Sequence, residues 1–323
     1  MNRCVVIGCG WAGTHHMETI VTSPLAQLVA VVESDPDRAN IVAKEYNLPA
    51  FHSLNDLLCS DVNFEVGVVA TLADSHKEYC VALADAGKHI LCEKPVCRNS
   101  KDIEKIVQAV KKAGVKFGAI FNQRYGEAVQ KAKELLTADH TPIHLITGSM
   151  YQHFPVQLGG HIREDFIITD SCCHLLDLIT FFGGPVYRMN GIAKKINSEA
   201  YSDITALLDF ESNGIGVMSH TTVGGKLDSQ HPFQCIEIHT GNARYKIENH
   251  CDRLIVYPHD SMAQTVYETS VFRARDYSVS LRAACNDFLQ ALEKGGDPPI
   301  GIEEALTNMQ YLEAITGSIN DTR

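Results

Sequence analysis

Up to about residue 121 the apolar residues fall in short unbroken runs, at 4–8, 28–33, 66–71, 89–92 and 116–121. Amphipathic stretches separate them, such as 75–86 and 100–113. Runs without alternation are what strands buried on both faces need, so these read as parallel strands with helices between them. Glycine stands where two of the helices should stop, in Ala86-Gly87-Lys88 and Ala113-Gly114-Val115. This rhythm predicts a doubly wound sheet with its ligand at the carboxyl ends of the strands. After residue 124 the pattern changes. A helix is expected over 127–136, a strand over 143–151, and an apolar helix over 172–182 ended by Gly183-Gly184-Pro185. Strand-length runs follow at 188–195, 204–210, 214–221, 234–239, 243–247 and 254–257, with turn residues such as Ser212-Asn213-Gly214 between them. Such spacing predicts one large, mostly antiparallel sheet. Helices over 277–293 and 302–317 close the chain. The expected architecture is α/β, with an N-terminal parallel-sheet domain over 1–121 and a C-terminal α+β domain over 122–323.

The first turn says what the N-terminal domain binds. Its opening strand runs into Gly8-Cys9-Gly10-Trp11-Ala12-Gly13, a helix follows, and the second strand ends at Glu33, twenty positions after the last glycine. Gly8 permits a tight turn, Gly10 lets a pyrophosphate approach the backbone, and Gly13 allows close helix packing. The helix N-terminus offers N–H groups to phosphates, and Glu33 can accept hydrogen bonds from a ribose diol. This is the Rossmann fingerprint in its confirming context. Glu33 would repel a 2′-phosphate, and Ser34, Asp35 and Pro36 bring no basic residue at once. Arg38 is near but is expected inside a helix capped by Asp35. NAD is therefore expected over NADP; the glycines by themselves also fit FAD.

Composition narrows the partners. The 323 residues carry a net charge of −11, which disfavours a nucleic-acid surface. No stretch reaches the ~18 apolar residues that a membrane helix needs, and no signal peptide precedes the first strand, so a cytoplasmic protein is expected. The 11 cysteines are scattered and read as reduced thiols. Cys172-Cys173-His174 has the look of a metal cluster, but adjacent helical cysteines diverge by about 100°. No C-x-x-C pair supports zinc, so no metal is expected.

Four segments carry a family resemblance: Ile7-Gly8-Cys9-Gly10-Trp11-Ala12-Gly13-Thr14-His15-His16, Thr71-Leu72-Ala73-Asp74-Ser75-His76, Gly87-Lys88-His89-Ile90-Leu91-Cys92-Glu93-Lys94-Pro95, and Asp170-Ser171-Cys172-Cys173-His174. In order and spacing they resemble the Gfo/Idh/MocA oxidoreductases, the group of glucose–fructose oxidoreductase and inositol dehydrogenase. The resemblance implies an NAD-dependent dehydrogenase of a sugar, sugar derivative or cyclitol. It implies that Lys94 hydrogen-bonds the reacting oxygen, although a lysine with a lowered pKa can also be a base. It implies a cis bond before Pro95 that aims Lys94. His174 becomes a general base or acid, and Asp170, four residues earlier, either orients it or meets the substrate hydroxyl. The Thr71–His76 turn would face the nicotinamide ribose and pyrophosphate, with Leu72 where the family commonly has proline. His16 either reaches the site or packs beside it. Asp177 is either an outer support or a solvated helix residue.

The expected cofactor contacts are therefore Gly8, Gly10, Trp11, Ala12, Gly13, Glu33, Ser34, Thr71, His76, Glu93, Lys94 and Asn122. Substrate contacts are expected from Lys94, Arg124, Tyr151, His153, Asp170 and His174. Arg124, in Asn122-Gln123-Arg124-Tyr125, either binds a polar substrate or braces the domain junction. The loop after Tyr151, with Gln152, His153, His161 and Arg163, is the expected seat of selectivity. Two other functions share this fold: a redox-neutral NAD-using glycosidase or epimerase, and a non-catalytic NAD-dependent sensor. The second sheet has too few helices after it to cover both faces, so a homodimer or homotetramer through that sheet is expected.

Overall fold

In the computed structural model, which describes residues 1–151, 165–196, 200–222, 233–248, 251–268 and 277–321, the chain forms two units. The first comprises Met1–Asn122 and Leu281–Met309, the second Gln123–Ser280 and Gln310–Arg323.

Six strands make the first sheet: β1 (Asn2–Ile7), β2 (Ala26–Val32), β3 (Ala50–Phe51), β4 (Val66–Val69), β5 (His89–Glu93) and β6 (Phe117–Ile120). Their order is β3-β2-β1-β4-β5-β6, and every pairing is parallel. Helices α1 (Trp11–Thr22), α2 (Pro36–Tyr46), α3 (Leu54–Leu58), α4 (Ala73–Asp85) and α5 (Ser100–Ala113) connect them. The apolar runs are the strand cores: Val5, Val6, Ile7, Val31, Val66, Val69 and Ile90 are shut off from solvent. Asp35 caps α2, accepting from the N–H groups of Asp37 and Arg38, with Pro36 at the first helical position. Gly114 ends α5 at φ +67°. The two-residue β3 was too short to stand out as a periodic run. The sequence reading kept everything after residue 121 in the second domain, whereas Leu281–Met309 packs with the first unit. Phe288 lies against Gly118, where an added Cβ would sit 2.5 Å from the ring. The Ala119 N–H donates to the Ile300 carbonyl at 3.0 Å.

The second unit is built on eight strands: β7 (Ile143–Tyr151), β8 (Val186–Lys194), β9 (Asp203–Phe210), β10 (Ile215–Thr221), β11 (Phe233–Thr240), β12 (Ala243–Glu248), β13 (Arg253–Pro258) and β14 (Thr265–Glu268). Their order is β14-β13-β12-β11-β7-β10-β9-β8, antiparallel throughout except for β7 against β10. Helices α6 (Glu127–Asp139) and α7 (Cys172–Gly183) belong to this unit, and α8 (Tyr277–Glu293) and α9 (Ile302–Asp321) complete the chain. Alternation decides the faces. Ile204, Ala206 and Leu208 point inward and are buried, while Leu207, Ile192 and Ile215 on the other face are more than half exposed. On the inner face Gly148 leaves room for α7: an added Cβ there would meet Ile179 at 2.7 Å. The exposed apolar residues of this sheet are thus the alternates of Ile204, Ala206 and Leu208. A π-helical turn, Ile167–Ser171, leads into α7. Strand periodicity cannot announce such a turn, and Asp170 therefore lies in it rather than in a regular helix.

Candidate active site

Parallel pairing brings the ends of five strands of the first sheet side by side. Ile7 pairs with Val32 and Val69, Val69 with Cys92, and Glu93 with Ile120. The residues that follow, Gly8, Glu33, Thr71, Lys94 and Asn122, therefore share one edge. The strand order reverses between β1 and β4, the switch point at which such sheets bind ligands. Gly8 adopts φ +90°, and an added Cβ would sit 2.8 Å from the Ala70 carbonyl and from the Thr71 methyl. Gly13 lies so close to the Gly8 carbonyl that no side chain fits, whereas a Cβ on Gly10 would meet open space. Gly10 gives α1 no side-chain cap, and the first turn holds no acidic residue. An anion fits that amide end, and the glycines fit a dinucleotide pyrophosphate. Trp11 and Ser34 are exposed at this edge, and Ala12 is half-buried.

Glu33 is buried at the end of β2, and its carboxylate organises the turn. Oε2 accepts from the Cys9 N–H at 2.9 Å and Oε1 from the Asp35 N–H at 3.0 Å. Arg38 does not point away: its Nη1 stands 3.5 Å from Glu33 Oε2, with the side chain half exposed. One turn of α2 brings it back over the strand end.

Lys94 follows β5 and is half-buried, and the Lys94–Pro95 peptide is cis. Its backbone N–H donates to Glu93 Oε2 at 3.1 Å. The other oxygen, Oε1, lies 2.8 Å from His16 Nε2, and both side chains are almost wholly buried. Burial opposes charge on His16, but the Cys285 sulfur, 3.6 Å from Nδ1, and the Glu93 carboxylate outweigh it and hold its pKa up at about 10. Burial likewise opposes charge on Glu93, and His16 and Lys94 overcome it, keeping the carboxyl below its usual range. These shifts favour the charged form of both partners, and Glu93 is buried between His16 and the Lys94 backbone. His76 is buried as well: it is 1% exposed, and its ring nitrogens lie 2.9 Å from the Thr71 carbonyl and 3.1 Å from that of Pro95. Burial pushes its pKa down. A neutral ring donates once, so it bonds one of these two carbonyls, the Thr71 contact being the shorter, and packs against the other. Asn122 is buried too, at 3% exposure. The Thr71 hydroxyl sits 2.8 Å from that of Ser75, and Leu72 is exposed before α4.

In the second unit Asp170 and His174 are both half-buried, at the π turn and in the first turn of α7. Cys173 Sγ donates to the Asp170 carbonyl at 3.1 Å. Burial pushes the Cys172 thiol pKa up. Arg124 is committed elsewhere: its Nε and Nη2 donate to the two Asp177 oxygens at 2.8 and 2.6 Å, and Asp177 is 2% exposed. This bidentate pair braces the Asn122–Tyr125 turn against α7, which removes Arg124 as an available substrate clamp and Asp177 as a solvated residue. Tyr151 ends β7 at 40% exposure and packs on Phe233, ring centroids 5.6 Å apart. His153, Gln152, His161 and Arg163 lie outside the described residues.

Residues 2–121 match the family profile described as "Oxidoreductase family, NAD-binding Rossmann fold". Over these residues the first unit is similar to that family's NAD-binding domain. Among curated relatives, D-apiose dehydrogenase of Paraburkholderia graminis is 26% identical over 257 residues, 76% of this chain and 68% of that one. The scyllo-inositol 2-dehydrogenase (NADP(+)) IolU of Bacillus subtilis is 34% identical over 206 residues, 62% of each chain. The crystal structure of an oxidoreductase from Agrobacterium radiobacter in complex with NAD+, L-tartaric acid and magnesium superposes with a TM-score of 0.90 at 20% identity. It covers 100% of this chain and 97% of its own, a likeness of fold.

The glycine turn, Glu33 and the Glu93-Lys94-Pro95 run are legible in the sequence. The roles of His16, Arg38 and Asp177 are not. His16 shares the buried stripe of α1 with Gly13, Met17 and Ile20. A polar residue in such a stripe is the one signal that it holds a buried partner.

Proposed function

We propose that the chain is an NAD-dependent dehydrogenase that oxidises a secondary alcohol of a sugar, sugar derivative or cyclitol. The observation that carries this reading is Lys94, placed at the switch-point edge beside the glycine turn, its backbone held by a buried, charged carboxylate. Bound NAD would accept the hydride. Gly8, Gly10, Trp11, Ala12 and Gly13 would cradle the pyrophosphate, and Glu33 with Ser34 the adenosine ribose. Thr71 would line the nicotinamide side, and His76, Glu93 and Asn122 would support that edge from beneath. Lys94 hydrogen-bonds the reacting oxygen and stabilises developing negative charge, and His174 accepts the hydroxyl proton. Asp170 orients His174 or holds the hydroxyl. Tyr151 and the segment after it, His153 included, contribute to selectivity.

The dehydrogenase names of the relatives support the substrate class and put inositols and D-apiose first in a screen. The test is NADH absorbance with myo-inositol, scyllo-inositol and D-apiose, alongside calorimetric NAD binding. NADH accumulating with at least one polyol is expected. Tight NAD binding with no NADH from any polyol would refute the dehydrogenase reading. The exposed apolar face carrying Leu207, Ile192 and Ile215 supports a homodimer or homotetramer through the second sheet. No helix among the described residues is long and apolar enough to cross a membrane. Eleven free cysteines, ten of them buried or half-buried, support a reducing, cytoplasmic setting.

A further inference from the structure

The inner face of the second sheet is apolar in almost every row, with Ile204, Ala206, Leu208, Met218, Ile236 and Ile238 buried on it. His220 interrupts that face. It lies on β10 opposite Ile204 of β9 and Met150 of β7, and it is 1% exposed. Its Nε2 is 3.0 Å from the Ser171 hydroxyl. Its Nδ1 is buried and meets no hydrogen-bond partner among the described residues. Burial pushes its pKa down to about 4, against a smaller opposing pull from Asp203, so the ring is neutral at physiological pH. A neutral ring carries one N–H, and a buried N–H left without an acceptor is the rarer defect. The proton therefore belongs on Nε2, donating to Ser171 Oγ. The Ser171 hydroxyl in turn can donate to Met150 Sδ at 3.7 Å.

Packing alone does not explain a histidine here. Leucine or methionine would fill the row without leaving a nitrogen unsatisfied. The one bond that the ring makes goes to the last residue of the π turn, next to Asp170 and three residues before His174. π turns interrupt the regular helical ladder and recur at functional sites.

We propose that His220 is a positioning residue: by holding Ser171 it fixes the Ile167–Ser171 turn, and with it the placement of Asp170 and His174. This rests on the reading of those two residues as reactive groups.

The test compares full-length wild type with His220→Phe, His220→Gln, Ser171→Ala and Asp170→Asn. His220→Phe keeps the ring and removes the donor; His220→Gln keeps an N–H donor. The readouts are NAD affinity, kcat and KM with NAD and whichever screened polyol is turned over, and backbone hydrogen exchange across 166–174. His220→Phe and Ser171→Ala are expected to lower kcat about ten- to hundredfold, as small misplacements of reacting groups do. NAD affinity should stay within about twofold, and exchange across 166–174 should rise at least about tenfold. His220→Gln should recover most of both losses. Wild-type kcat in His220→Phe, with Asp170→Asn impaired, would overturn the proposal. Equal losses in His220→Gln and His220→Phe would also overturn it, leaving a space-filling ring. If His220→Phe fails to fold, Ser171→Ala decides the matter, since it removes the same bond with one atom. A wild type that reduces no NAD with any polyol would sink the functional reading instead, and the exchange comparison would still decide whether His220 pins the turn.

Discussion

Replacing His16 by leucine should destabilise the first unit more than any surface change in it, because it strands a buried charge. His16 and Glu93 side chains are 0% and 6% exposed and meet at 2.8 Å. Removing one partner of such a pair costs about 3–5 kcal/mol, since the remaining ion must stay desolvated or take up a proton. The reverse change should be milder. Glu93→Gln removes one of the groups that favour protonated His16, and a hydrogen bond to the ring survives. Its expected cost is about 1–2 kcal/mol. His16→Leu combined with Glu93→Gln should cost about 2 kcal/mol less than the sum of the singles. The pH dependence has a definite sign. The folded pKa of His16, about 10, lies above its reference of 6.5, so its contribution is complete below pH 6.5 and is lost as pH rises through about 10. Glu93 is shifted down from 4.5, so its contribution is present above pH 4.5 and is lost as pH falls through its depressed value. The pair should stabilise most between about pH 4.5 and 6.5, and His16→Leu should abolish the alkaline decline. Urea unfolding is the assay, read by fluorescence of the single tryptophan, Trp11, which sits on the same helix as His16. A His16→Leu cost below about 1 kcal/mol, or additive singles, would refute a charged buried pair.

Glu33 should give NAD roughly a hundredfold advantage over NADP, about 2.7 kcal/mol, checked by titrating both. Glu33→Ala with Ser34→Arg should reverse the preference, helped by Arg38, which loses its carboxylate partner. Lys94→Ala and His174→Ala should each lower kcat/KM by roughly 10²- to 10⁴-fold with NAD affinity retained, and their double mutant should lose less than the product. Unchanged pre-steady-state hydride transfer in the lysine variant would count against its role. Asp177→Ala should destabilise the second unit by about 3–5 kcal/mol by stranding Arg124, to be measured by denaturant melts. Light scattering should give a dimer or tetramer at micromolar concentration, and Leu207→Glu should shift it toward monomer; a monomeric wild type would rule the interface out.

Much of the fold could be read along the chain because the signals are local. Unbroken apolar runs mark strands buried on both faces, alternation marks one-sided strands, and Asp35, Gly8 and Gly114 act within a few residues of themselves. Helix 100–113 and strand 143–151 were placed to the residue for that reason, and Gly8, Gly13 and Glu33 serve one short βαβ unit. The short β3 and β14 carried too few residues to show a period. What only the tertiary structure decided were pairings between distant positions. His16 meets Glu93 across 77 residues, Arg124 meets Asp177 across 53, and Ser171 meets His220 across 49. Nothing local in the sequence names the partner of any of them. Whether such a residue is charged, neutral, exposed or committed depends on the dielectric and on the group opposite, and packing alone sets both.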